Sequence, residues 1–194
     1  ILKDPTFKGT LFNTFFYLII QVPIMLTLAL ILASILNNKD LRFKGLWRTC
    51  IFLPCATSLV SYSMIFRSLF ANDGFVNTVL RAVGATPIMW FSNAWTARAV
   101  IIIALIWRWT GYNMVFYLSG LQNIEYSVYE AARIDGASPR QILFKITIPL
   151  LRRSIGTTYI LALSGTINLS FTLSNVMTGG GPNGASSVLL QNMY

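Results

Sequence analysis

The sequence alternates between long apolar runs and short polar segments rich in Lys and Arg. An α-helix needs about 20 apolar residues to cross a bilayer. Four runs reach that length: residues 11–36, 49–70, 99–120 and 154–173. Pro54 interrupts the second run, and residues 188–194 indicate the start of a fifth. We therefore predict an all-α fold, a polytopic transmembrane helical bundle, in which residues 1–194 form a single transmembrane domain.

The segments between the runs differ in charge. Residues 37–48 and 121–153 together hold nine Lys and Arg residues, whereas the segments at the opposite ends of the runs hold four: Lys3, Lys8, Arg81 and Arg98. Because cytoplasmic loops carry the excess of Lys and Arg, residues 121–153 are predicted to be cytoplasmic. The glycine-rich residues 174–187 are then external. The long loop of residues 71–98 is also external, and its residues 76–83 are predicted to form a short amphipathic helix.

Composition favours a membrane protein over a soluble one. Hydrophobic residues make up 55% of the chain and charged residues 11%, whereas soluble domains usually have about 25% charged residues. The net charge of +9 would suit nucleic acid, but the basic residues cluster at the ends of the apolar runs. We therefore expect lipid, and not nucleic acid, to be the partner of these charges.

The residue types of most catalytic and metal sites are missing from the sequence. It has no His, and Cys50 and Cys55 are five residues apart in one run, which is too far for a disulfide if that run is helical. No Gly-rich phosphate loop with a following Lys is present, so the chain is not expected to hydrolyse ATP. We predict no catalytic residue, no metal and no cofactor, and hence a protein that is not an enzyme.

Acidic residues are confined to the segments outside the predicted spans. Proton-driven carriers generally rely on a carboxylate or His within the membrane, so proton coupling is disfavoured. An ion-coupled secondary transporter of a polar solute, with Na⁺ held by backbone carbonyls, remains open as an alternative. A membrane scaffold that transports nothing is a further alternative. The simplest mechanism is energy supplied by a partner through the cytoplasmic segment.

Two short helices that meet at a corner are predicted within residues 121–153. The residues from Glu130 to Asp135 are mostly good helix formers, and Gly136 can leave the helix with a positive φ. Ser138 is a candidate N-cap, with Pro139 at the first helical position and Gln141 at the third. A helix stop is thus followed two residues later by a helix start.

This corner carries a recognisable motif. It consists of Glu-Ala-Ala, three residues, Gly, nine residues and then Ile-x-Ile-Pro, at Glu130, Ala131, Ala132, Gly136, Ile146, Ile148 and Pro149. The motif resembles the signature (EAA) loop of binding-protein-dependent ABC importer permeases, with Ile148 in the place of Leu. Residues 179–182, Gly-Gly-Gly-Pro, resemble the carbohydrate (maltose/sugar-type) branch of that family. The resemblance covers essentially the whole chain and implies a type I permease core, truncated at both ends.

The resemblance implies roles for these residues. The corner would be a coupling helix that docks on cytoplasmic ATPase subunits, in which Ala131, Ala132 and Gly136 allow close approach and Glu130, Arg133 and Asp135 pair with charges. Residues Gly179, Gly180, Gly181 and Pro182 would contact an extracytoplasmic solute-binding protein. Further implied partners are a second permease subunit, as a heterodimer, and the lipid of a prokaryotic plasma (inner) membrane. Each role has an alternative. The corner could be a helical hairpin on the membrane surface, its charged residues could form a solvated helix face, and residues 179–182 could form an ordinary turn.

Polar side chains within the third and fourth runs are candidates for the substrate path. Trp109, Tyr112 and Asn113 lie within about one helical turn. Ser164 and Asn168 share a face at a spacing of four residues. Aromatic faces with amide and hydroxyl groups suit a sugar or another polar, uncharged solute. The alternative is that these groups bond neighbouring helices. For Arg108, binding of an anionic group, pairing with a partner carboxylate and reaching the interface all remain open.

Overall fold

The computed structural model describes residues 5–38, 41–179, 181–182 and 186–188, with the side chains of residues 5–7 and 167–171 left out. Its elements are α1 (Pro5–Asn37), α2 (Lys44–Ala56), α3 (Leu59–Leu69), α4 (Phe75–Ala82), α5 (Ala94–Gln122), α6 (Tyr126–Ile134), α7 (Pro139–Ile142), a π-helical turn (Leu143–Thr147), α8 (Ile148–Leu150) and α9 (Arg152–Thr178). The described residues contain no strand, and the predicted all-α helical bundle is confirmed.

The three long helices α1, α5 and α9 form the core, with α5 packed against both of the others. Towards the C-terminal ends of α1 and α5, the small side chains of Ala29 and Ala33 are buried with Met114 and Tyr117. Small residues let helix backbones approach closely, which is typical of membrane helices. The outer face of α1 leaves large apolar side chains exposed, Ile19 by 70%. A helix that is apolar on every side suits a lipid surrounding.

Among the described residues, two helical stretches are long and apolar enough to span a membrane, residues 8–37 and 94–122. They contain the first and third predicted spans. A third candidate is the pair α2 and α3, whose axes differ by 100°. The second predicted span, residues 49–70, is therefore not one helix but two. Pro54 lies near the end of α2, where it removes a backbone donor and favours a break.

The fourth predicted span, residues 154–173, lies within α9 and is shorter than the helix observed. Residues 174–178, predicted as loop, continue α9 as far as Thr178. The Ser174 hydroxyl donates to the carbonyl of Ser186, and the Thr178 hydroxyl donates to the carbonyl of Ser174 and contacts the Ser186 hydroxyl. Because their hydroxyls have hydrogen-bond partners, these polar residues can extend the helix. Of the predicted fifth span, Val188 is described, and it is buried against the core; residues 189–194 lie outside the described residues.

The predicted amphipathic helix is observed as α4, one residue earlier than expected. Its Asn77 is buried and binds the backbone of Ala71, Asn72 and Ile88 together with the indole of Trp90. One amide side chain thus organises the connection between α3 and α5.

Candidate functional site

The α6–α7 corner (residues 126–142) is built from local hydrogen bonds. Gly136 has φ 74°, as predicted, and ends α6 in the left-handed region. Its N–H donates to the carbonyl of Arg133 (3.1 Å), and the N–H of Ala137 donates to that of Ala132 (2.9 Å). These two bonds form a Schellman motif, which satisfies the last carbonyls of a helix. A Cβ at Gly136 would meet nothing within 4 Å, so φ, and not crowding, requires this glycine.

The start of α7 is capped as predicted. The N–H of Gln141 donates to the Ser138 hydroxyl (3.4 Å), and the N–H of Ser138 donates to the Gln141 side-chain oxygen (2.8 Å). Pro139 follows the cap at the first helical position, where its missing N–H leaves nothing unpaired. Both sides of the corner are therefore fixed by residues within the corner itself.

Most side chains predicted for coupling lie on the surface of α6. Glu130, Ala131, Arg133 and Asp135 are exposed. Ala132, in contrast, faces inward and is 7% exposed, so a partner would approach closely at Ala131 and Gly136. Beside them Ile134 is 85% exposed. An isolated apolar side chain on a surface is ordinary, but this one stands at the tip of a corner among unpaired charges, since no ion pair of Glu130, Arg133 or Asp135 occurs among the described residues.

The α6–α7 corner is connected to the long helices through the π-helical turn and α8. The Thr147 hydroxyl contacts the Tyr129 hydroxyl (3.5 Å) and donates to the carbonyl of Ile142 (3.2 Å). Leu151, which follows α8, is buried beside the end of α5. There, a Cβ at Gly120 would lie 2.8 Å from Leu151. Residues 147–151 thus connect the corner to the end of α5 and to the start of α9.

The predicted substrate-path residues of α5 lie together, towards α1 and α9. The rings of Trp109 and Tyr112 pack edge to face with centroids 5.4 Å apart. Trp109 also lies against α9, where a Cβ at Gly165 would be 3.0 Å from its ring. Asn113 is 1% exposed and donates to the carbonyl of Trp109 (2.9 Å). Asn113 Oδ1 and Trp109 Nε1 are buried without a hydrogen-bond partner in the described part of the chain.

The structure does not test the two α9 residues that are predicted for the same path. Ser164 is exposed, next to the Gly165 that Trp109 contacts. Asn168 lies within α9, and its side chain is outside the described residues. The proposed face of Ser164 and Asn168 stays a prediction.

Sequence reasoning assigned no role to a second polar contact between the long helices. The Thr166 hydroxyl donates to Gln21 Oε1 (2.9 Å), and Gln21 Nε2 lies 3.4 Å from Met25 Sδ. Met25 Sδ also lies 3.7 Å from Asn113 Nδ2. These four buried residues (Gln21, Met25, Asn113 and Thr166), here called the interior polar cluster, join α1, α5 and α9. A Gln inside an apolar run was the available signal.

Arg108 binds the break between α2 and α3 (residues 54–59, the α2–α3 bend). Its guanidinium donates to the carbonyls of Pro54 (2.7 Å), Thr57 (2.9 Å) and Cys55 (3.2 Å). It also lies 5.3 Å from the ring centroid of Tyr62. A helix break leaves carbonyls without N–H partners, and these are the groups that Arg108 satisfies. Its donors therefore serve this chain's own backbone, a role that the sequence did not suggest.

The glycine-rich segment after α9 is described at residues 179, 181, 182 and 186–188. Gly179 has φ 60° and ends the helix, and the Gly181–Pro182 peptide bond is cis. Gly181 O accepts a bond from the Ser186 hydroxyl. Gly180 lies outside the described residues, and the contact with a binding protein stays a prediction.

Comparison with known proteins gives one consistent result. The profile of the family described as "Binding-protein-dependent transport system inner membrane component" matches residues 6–194. The lactose transport system permease protein LacF of Rhizobium radiobacter is 50% identical over 195 residues, covering 99% of this chain and 65% of that protein. The arabinooligosaccharides transport system permease protein AraP of Bacillus subtilis (strain 168) is 34% identical over 165 residues, covering 84% of this chain and 52% of that protein. The chain thus spans about half to two-thirds of the length of these relatives.

The fold also matches a solved transporter. A chain of the bacterial alginate ABC transporter, crystallised in complex with an alginate pentasaccharide-bound periplasmic protein, superposes with a TM-score of 0.89 at 20% identity, covering 100% of this chain and 68% of that one. This likeness concerns the fold alone. The family resemblance seen in the sequence is confirmed, and the family is one of transport components and not of enzymes. The chain belongs to the family of binding-protein-dependent transport system inner membrane components.

Proposed function

We propose that this chain is the permease subunit of an ATP-driven importer that moves a sugar or a related polar solute from an external binding protein across a prokaryotic inner membrane. The observation that carries the proposal is the α6–α7 corner, which is internally fixed, exposed at its tip and joined to α5 and α9. The printed names of the relatives, lactose and arabinooligosaccharide permeases, support a carbohydrate.

In this proposal the corner is the coupling element, and it lies on the cytoplasmic side. Glu130, Arg133 and Asp135 pair with charges of the ATPase subunits, and Ala131 and Gly136 let its surface approach the backbone. Ile134 supplies an apolar anchor, since an 85% exposed Ile gains about 1.5–3 kcal/mol when it is buried. Ala132 supports the corner from within.

The solute passes beside Trp109, Tyr112 and Asn113, with Ser164 and Asn168 contributing from α9. The buried Asn113 oxygen and Trp109 N–H that lack partners among the described residues provide one acceptor and one donor, and the ring of Tyr112 provides an apolar face. That combination suits a hydroxylated solute without charge. A second permease subunit, as a heterodimer, lines the other side of the path, and residues 179–182 receive the binding protein.

The proposal is tested by replacing Ile134 with Asp in the full-length permease. Val83→Asp is the matched control, since Val83 is 76% exposed and lies beyond the other end of α5. We expect Ile134→Asp to lose ATPase co-purification and ATP-driven uptake in proteoliposomes, with membrane insertion unchanged, and Val83→Asp to retain the ATPase. Normal ATPase association of Ile134→Asp, or uphill uptake by the permease without ATP, would contradict the proposal.

A further inference from the structure

We propose that a cleft beside the α6–α7 corner binds the phosphate headgroup of an anionic lipid. The cleft has a volume of about 1110 Å³ and lies between the end of α1, the start of α2, the end of α5 and the corner. The proposal rests on the proposed function for one point, the cytoplasmic orientation of this end of the bundle. It adds a ligand and a site to that function.

The charge of the cleft is positive. Lys44, Arg48 and Arg133 line it, together with one carboxylate, Glu125. No ion pair involving these four residues occurs in the described part of the chain. Lys44 and Arg48 are half-buried, and an excess of positive charge in a partly buried cleft favours the binding of an anion, since charges interact more strongly away from water.

The donors of the cleft are partly prearranged. Arg48 Nε is buried and has no hydrogen-bond partner among the described residues, and such an unsatisfied group costs free energy unless something binds it. Arg133 is held at the cleft by a bond to the Tyr126 hydroxyl (3.2 Å) and by the Tyr126 ring, whose centroid is 5.9 Å from the guanidinium. Guanidinium groups bind phosphate oxygens with two N–H groups at once.

The depth of the cleft indicates a lipid as the source of that phosphate. Its wall includes Asn37 and Gln122, which are the last residues of the two stretches long and apolar enough to span the membrane. The cleft therefore lies where the hydrocarbon ends and the headgroups begin. Basic pockets between helices on the cytoplasmic side are typical headgroup sites.

The surface beside the cleft suits the acyl chains of the same lipid. Phe43, Leu46 and Trp47, at the start of α2, are 75%, 62% and 53% exposed. The adjacent Lys44 and Arg48 line the cleft. Cations with exposed aromatic and aliphatic neighbours form an amphipathic edge typical of the membrane interface. A soluble phosphate would use the cations and leave these apolar side chains without a partner.

The test measures lipid retention by the assembled transporter. The full-length permease with its partner subunits is purified from nanodiscs of phosphatidylglycerol and phosphatidylcholine, and retained lipids are counted by native mass spectrometry. We expect retained phosphatidylglycerol, no retained phosphatidylcholine, and an affinity for phosphatidylglycerol about tenfold or more weaker in Lys44→Gln/Arg48→Gln, from about 1 kcal/mol per basic residue. Arg42→Gln, which removes an exposed charge from the same segment outside the cleft, should resemble the wild type, and Arg48→Lys should retain most of the binding.

Three results would overturn the proposal. Equal retention of phosphatidylglycerol by the wild type and by Lys44→Gln/Arg48→Gln would remove the cleft as the site. Displacement of the lipid by inorganic phosphate would identify a soluble anion as the ligand. Loss of ATPase association by the double variant with unchanged lipid retention would mean that an acidic segment of the ATPase occupies the cleft. A failure of the proposed function is distinguishable from these results. It would appear as normal ATPase association of Ile134→Asp, and lipid retention by the permease would be unchanged.

Discussion

Two sharp turns in the described part of the chain, the α6–α7 corner and the α2–α3 bend, are held together in different ways. In the α6–α7 corner, the bonds of the Schellman motif and of the capping box join residues at most five positions apart. At the α2–α3 bend, one local bond joins the Thr57 hydroxyl to the Pro54 carbonyl. The other bonds come from Arg108, which is 51 to 54 positions away from the carbonyls that it binds. The first corner is fixed by its own residues, and the second depends mainly on a neighbouring helix.

The surroundings explain this difference. The α6–α7 corner is exposed, so that water can satisfy any backbone group that its caps leave free. The α2–α3 bend lies beside the middle of α5, where Arg108 is located, and in the proposed orientation this is near the centre of the bilayer. Lipid offers no hydrogen bonds, so a broken helix there needs a donor from the protein. Position in the membrane thus decides whether a turn can rely on local residues.

The largest effect is expected at Arg108. Arg108→Met keeps much of the apolar stem and removes all the guanidinium donors. The carbonyls of Cys55 and Thr57 then lose their donor, whereas the carbonyl of Pro54 keeps the bond from the Thr57 hydroxyl (2.8 Å). At about 1–3 kcal/mol for each unsatisfied group, we expect a loss of roughly 2 kcal/mol or more in stability, measured as a lower thermal unfolding midpoint of the purified transporter. Arg108→Lys should recover part of the loss. Unchanged stability of Arg108→Met would show that the bend needs no remote donor.

A smaller effect is expected where α2 touches α5. A Cβ at Gly111 would overlap the carbonyl oxygen of Ile51, so Gly111→Ala forces the two backbones apart at a cost of about 1–3 kcal/mol. The control is Gly156→Ala in α9, where a Cβ meets nothing within 4 Å and should stabilise the helix by about 0.5–1 kcal/mol. Thermal unfolding of the two variants in the same detergent measures both changes. Equal midpoints would mean that α2 is free to shift.

The smallest effect on stability is expected at Gly136. Gly136→Ala strains the left-handed φ by roughly 1–2 kcal/mol and, since the corner is exposed, the strain should relax by local fraying. We expect faster hydrogen exchange in α6 and α7 and a loss of transport, with the global unfolding midpoint nearly unchanged. Gly136→Asn, which tolerates this φ, should retain transport. A large fall in the midpoint of Gly136→Ala would show that the corner is not an independent unit.

Features that depend on nearby residues were predictable from the sequence, and features that depend on remote residues were not. The capping box at Ser138 and the positive φ of Gly136 were predictable because they depend on residues close together in the sequence. The bonds from Arg108 to the α2–α3 bend were not, because they depend on which side chain of α5 faces the break. For the same reason, the bond between Gln21 and Thr166 was missed, although each residue is visible in its apolar run. The end of α9 was placed too early because Ser174 and Thr178 have partners beyond the helix.

The candidate site was predictable in part. The grouping of Trp109, Tyr112 and Asn113 follows from helical spacing alone, and in the structure both Tyr112 and Asn113 contact Trp109. The inward orientation of Ala132 could not be deduced from the motif, because a run of two alanines does not indicate which of them faces the protein. The cleft lined by Lys44, Arg48 and Arg133 could not be predicted either, because it combines residues from two segments that are far apart in the sequence.

The close contact between Gly111 and Ile51 has a mechanical consequence. The direct contact between the two backbones leaves α2 no room to move towards α5, so we expect the two helices to move together when the bundle rearranges. α3 packs mainly against α9, and Arg67 adds a bond to the carbonyl of Val176 (3.4 Å). The short link from Ala56 to Leu59 therefore bridges two blocks of the protein. We expect the link to bend when α2 and α5 tilt relative to α3 and α9, and the bonds from Arg108 to limit the extent of this bending.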